Sequence, residues 1–147
     1  MPETIVEEII EEPKETLTEE ESEDFKNLIV VGMISDEFDL MGHKILLRTL
    51  STKEDLCVGL LVKPYLDSSS FQRAYKTAIV AAATREIDGE LLLGSLKREP
   101  DDLELMRLKF NKINEYYPVV IDAIYSRFVE LEKKLLPVVS RLGKTQS

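Results

Sequence analysis

The sequence of 147 residues has one cysteine, Cys57, and one histidine, His43. A single thiol rules out a disulfide within the chain and any zinc site built on several thiolates. A lone imidazole means that a Ser-His-Asp site would have to be built around His43 alone. The six glycines, Gly32, Gly42, Gly59, Gly89, Gly94 and Gly143, never fall in a G-x-G-x-x-G spacing. Gly143-Lys144-Thr145 has the end of a phosphate loop without its upstream glycine. No apolar run approaches the ~20 residues that a membrane-spanning helix needs. The opening Met1-Pro2-Glu3-Thr4 is acidic, where a secretory signal has basic residues and then an apolar stretch. The expected compartment is therefore a cytoplasm.

What the chain does have is acid, placed unevenly. Its net charge is -9. Residues 1–24 hold ten Glu, Asp24 and the single base Lys14, a net -10, which leaves +1 for 25–147. A nearly neutral body has no electrostatic footprint for nucleic acid. The first 24 residues are expected to be a disordered or arm-like tail, since dense like charge, Pro2 and Pro13 and no aromatics cannot offset ordering entropy. Within it, Ile5, Val6, Ile9 and Ile10 form two i,i+4 apolar pairs, the pattern of a short helix docking in a partner's groove.

The body, 25–147, reads as one mainly α domain with a small β-hairpin near 37–48, an α+β class. Thr18 to Glu21 and Ser51 to Glu54 have capping-box spacing, and each opens a helix. The second should end before Pro64. Leu28 to Val31 is a short apolar run of undecided type. Strand-like pieces flank Met41-Gly42-His43, a hairpin signal. Residues 71–84 read as a helix with Phe71, Ala74, Tyr75, Ala78, Ile79 and Ala82 on one face. Ile87 to Glu90 reads as a turn. From Leu103 through Met106, Phe110, Ile113, Tyr117, Val120, Ile124, Phe128, Leu131, Leu135 and Val138 to Leu142, apolar residues recur every three or four positions. Pro118 should break that stripe into helices near 101–117 and 118–136, and Pro137 should end the second.

Chemistry is sparse. His43 reads as a turn residue and Cys57 as a buried inert thiol inside a helix. Asp36, Glu37 and Asp39, and the pair Asp101-Asp102, lack the spacing of a calcium loop and read as turn and helix-start acids. No catalytic, cofactor or metal site is expected, and no membrane contact. The stripe is longer than one small core should need, so Leu131, Leu135, Val138 and Leu142 join Ile5, Val6, Ile9 and Ile10 as the expected partner-binding residues.

The run from Phe38 to Ser51, with Arg48-Thr49-Leu50-Ser51 leading into an acidic-capped helix, resembles tail assembly chaperones of tailed bacteriophages. Arg73 to Ala78, Ile87-Asp88-Gly89 and the long helical C-terminus with Tyr117 and Tyr125 extend the likeness over roughly 37–130. The resemblance implies a non-enzymatic protein that coats the helical tape-measure protein in the host cytoplasm. The long acidic tail has no match in that pattern. Two alternatives remain at this point. One is a structural subunit of the phage particle (head, neck or tail), with 1–24 as an arm on a neighbour and a possible homo-oligomer. The other is an acidic host-directed binder.

Overall fold

In the computed structural model the residues described are Thr18, Glu19 and 31–146, with side chains as far as Arg141. Two compact units emerge, Met33–Glu132 and Met1–Gly32 with Lys133–Ser147. The chain is α+β, as its patterning implies.

Within Met33–Glu132 a hairpin comes first: β1 (Ser35–Leu40) pairs antiparallel with β2 (His43–Arg48). Met41 (φ 52°) and Gly42 (φ 88°) turn the chain with positive φ at both positions, which matches the right-handed twist of the flanking strands. Alternation then sorts the side chains. Ile45 and Leu47 are buried, and Phe38 and Asp36 sit opposite them on the same face. Ser51 caps α1 (Thr52–Val62) with a full capping box, its hydroxyl accepting from Glu54 N while the Glu54 carboxylate accepts from Ser51 N. Pro64 falls in the 3-10 turn Lys63–Tyr65 that ends the helix.

Helix α2 (Phe71–Ala83) starts where expected and buries more than one face. Thr77 and every residue from Ala78 to Ala83 are inaccessible. The small alanines allow α1 and α3 (Asp102–Ile113) to pack closely on it. Its last residue runs straight into β3 (Thr84–Ile87), which pairs with β2 and, across a second positive-φ turn at Asp88-Gly89, with β4 (Glu90–Leu91). The expected hairpin is thus half of a four-stranded antiparallel sheet in sequential order. Leu46 faces Glu86 but Leu47 faces Thr84, so Arg85 is the extra residue of a β-bulge.

Asp101 caps α3 through Glu104 N at 2.8 Å. That helix stops at Ile113, because the Pro118 ring would meet the carbonyl of Asn114 in a continuous helix. Helix α4 then runs Pro118–Gln146 with Pro137 inside it, correcting the expected stop there. Pro137 is exposed, and a displaced carbonyl on a solvent face can turn to water. Ile121, Ile124, Phe128 and Leu131 of α4 join Leu47, Val58, Val80 and Ile113 in the core. Each large aliphatic side chain so buried contributes roughly 1.5–3 kcal/mol. In the other unit, Thr18 precedes a helical Glu19, Glu21 of the expected capping box lies outside the described residues, and 133–146 continue α4. The rest of the acidic tail, and Leu28 to Val30, lie outside the described residues.

Candidate functional site

An apolar cleft of about 410 Å³ opens in the Met33–Glu132 unit, between the tip of the first hairpin and the corner that joins α3 to α4. Leu40, Ile45, Ile87, Val120 and Ile124 form its walls. Alternation aims Leu40 and Ile45 at it, the end of β3 supplies Ile87, and the first turns of α4 supply Val120 and Ile124. Met41 and Tyr117 stand at the rim, 70% and 78% exposed. A methionine at a hairpin tip and a tyrosine in a helix break have few neighbours of their own to pack on. Exposed large apolar side chains beside a cleft are the usual mark of a recognition surface.

The polar rim is fixed in place. His43 Nδ1 lies 2.7 Å from Asp88 Oδ2, and Lys44 N donates to Asp88 Oδ1 at 2.8 Å. The His43 bond first, and the Lys44 amide next, hold the Asp88 carboxyl below its ordinary range. These contacts tie the first hairpin to the Asp88-Gly89 turn. Burial, helped by Glu115, pushes the Tyr116 phenol up, so it stays protonated at neutral pH. Farther along the same face of the first hairpin, Arg127 donates to Asp36 at 2.9 Å and stacks over Phe38 at 4.5 Å, pinning β1 to α4.

A second polar cluster surrounds Glu54. It accepts from Arg48 Nη2 at 3.0 Å and from Arg85 Nη2 at 2.6 Å, with its side chain 19% exposed. Burial alone would raise its pKa. The Ser51 amide, Arg85 and Arg48 outweigh that and hold the carboxyl below its usual range.

Of the expected partner-binding residues, Ile5, Val6, Ile9 and Ile10 lie outside the described residues. Leu131 is 2% exposed and belongs to the core, so it presents nothing to a partner. Leu135 and Val138 are half-buried on the 133–146 stretch, and the Leu142 side chain is not described. Met41 and Tyr117, exposed at the cleft, are not among the partner-binding residues expected from the sequence. Their signal was available: an apolar side chain at a two-residue turn, and Tyr116-Tyr117 just before a helix-breaking proline. Cys57 is buried, and burial pushes its thiol up, which keeps it unreactive. Among the described residues no group of three or more His, Cys, Asp or Glu side chains is placed to hold a metal ion, and no helix is long and apolar enough to cross a membrane.

No protein-family model matches the chain, and neither a curated protein nor a solved structure does.

Proposed function

We propose that the chain is a non-enzymatic tail assembly chaperone of a tailed bacteriophage, acting in the host cytoplasm. In this reading the apolar cleft holds one apolar stripe of the helical tape-measure protein until the tail tube assembles around it. The observation that carries the reading is the cleft itself, with apolar walls from the hairpin and α4 and with Met41 and Tyr117 left exposed at its rim. An amphipathic helix binds by laying i, i+3, i+4 and i+7 side chains into such a groove. The flexible Met41 side chain adapts to a varied series of helix faces, which a chaperone of a long helix requires. The likeness of residues 37–130 to such chaperones supplies the partner's identity.

Co-expression with the tape-measure protein of the same phage tests this. A soluble complex is expected, with the chain absent from purified particles by quantitative mass spectrometry. No complex and no gain in tape-measure solubility would overturn the reading. A fixed copy number in particles would make the chain a structural subunit instead.

A further inference from the structure

Lys109 of α3 is 6% exposed. Among the described residues its Nζ makes one hydrogen bond, a donation to Ala82 O at 3.4 Å. That carbonyl is in the last turn of α2, which carries no basic residue of its own there. The charged groups around the ammonium are Arg85 on β3, Arg48 on β2 and Glu54 on α1. Three cations thus share one carboxylate. Burial, and then Arg85, lower the Lys109 pKa from 10.5 to about 8. Polar demand is unmet close by as well. Arg48 Nε, Arg85 Nε and Thr84 Oγ1 are buried without a hydrogen-bond partner among the described residues.

Arg85 and Lys109 also line one pocket, of about 190 Å³, whose apolar walls include Leu91, Leu92, Leu96 and Leu105. The bulge at Arg85 is what turns its side chain to this place, and bulges recur where a strand must re-aim a residue. We propose that this pocket binds a carboxylate carried on a short apolar body, the anion between Lys109 and Arg85 and the body against the leucines. A surplus of positive charge, buried at Lys109 and half-buried at Arg85 and Arg48, is relieved by an anion that brings hydrogen-bond acceptors with it. An apolar cavity of ~150 Å³ holds benzene, so a ligand of hexanoate size fits here. The carboxylate belongs either to a free organic acid or to a partner chain's apolar C-terminal residue. This inference stands apart from the cleft and does not depend on the tape-measure reading.

The test is an NMR titration of the full chain at pH 7 with hexanoate, hexanamide and N-acetyl-leucine. Hexanoate or N-acetyl-leucine is expected to shift the Lys109 ε-methylene and the Leu92 and Leu105 methyls saturably. Its affinity should exceed that of hexanamide at least tenfold. Tighter binding of hexanoate assigns a free acid, and tighter binding of N-acetyl-leucine assigns a chain terminus. Affinity should fall several-fold between pH 7 and pH 9.5 as Lys109 loses its proton, and Lys109→Met should weaken binding at least tenfold. Because that variant also alters a buried position, the acid-to-amide ratio on the unaltered chain decides independently. Equal binding of acid and amide, or no saturable shift at these residues, would overturn the proposal.

Discussion

Arg85 Nη2 donates to Glu54 Oε2 across 2.6 Å, joining the bulge in β3 to the first turn of α1. Glu54 therefore closes a capping box and neutralises two arginines with one carboxylate. Glu54→Gln keeps the shape and removes the charge, leaving Arg48, Arg85 and Lys109 without a counter-ion. Truncating one side of a buried ion pair costs about 3–5 kcal/mol, and partial exposure reduces that here to about 2–4 kcal/mol. Urea unfolding at pH 7 measures it. The folded-state pKa of Glu54 lies below 4.5. Its contribution is thus complete above pH 4.5 and is lost as pH falls through the lower value. The gap between wild type and variant should narrow in acid, and a loss below 0.5 kcal/mol at pH 7 would contradict the expected role.

Lys109 gives a pH signature of the same sign in an alkaline window. Its folded-state pKa of about 8 lies below the ordinary 10.5, so between these values the unfolded chain binds more protons than the folded one. Stability attributable to this residue therefore rises from pH 8 to pH 10.5. Relative to Lys109→Met, the wild type should gain roughly 3 kcal/mol across that window. Parallel unfolding curves for the two proteins, compared at pH 7.5 and pH 10, check it. A constant difference would mean that the ammonium is solvated.

Gly42 stands at φ 88°, and a Cβ added there would meet nothing within 4 Å. The cost of Gly42→Ala is thus conformational alone, about 1–2 kcal/mol for an L residue in the left-handed region. Thermal unfolding should show that loss. Chemical shifts outside β1 and β2 should stay in place.

Elements marked by side chains that act locally were legible in the sequence. Ser51 and Glu54 announce the start of α1, Pro64 its end, and Met41-Gly42 the hairpin turn. The break before Pro118 follows from its clash with the carbonyl at Asn114. What depends on tertiary pairing was not legible. Thr84 to Ile87 carries two charges and follows α2 without a breaker, so only its pairing with β2 makes it a strand. Counting the stripe through Tyr117 assumed one helical phase. The break at 114–117 resets that phase and turns Tyr117 outward while Ile124, Phe128 and Leu131 stay in the core. The same reset created the cleft rim, which is why the binding residues expected on the C-terminal stripe do not include it. Glu54 was legible as a cap. Its pairing with Arg85 required a bulge 31 residues away.

The most direct test of the cleft's role is the affinity of the full chain for the tape-measure protein's helical segments, measured by calorimetry beside the Met41→Asp/Tyr117→Asp variant. Both positions are exposed, so the variant should fold with an unchanged unfolding midpoint. A carboxylate at each rim position should weaken binding at least tenfold, since docking would bury it unpaired. Binding that is unaltered in the variant, with the fold intact, would contradict the assignment of this cleft as the helix-binding site.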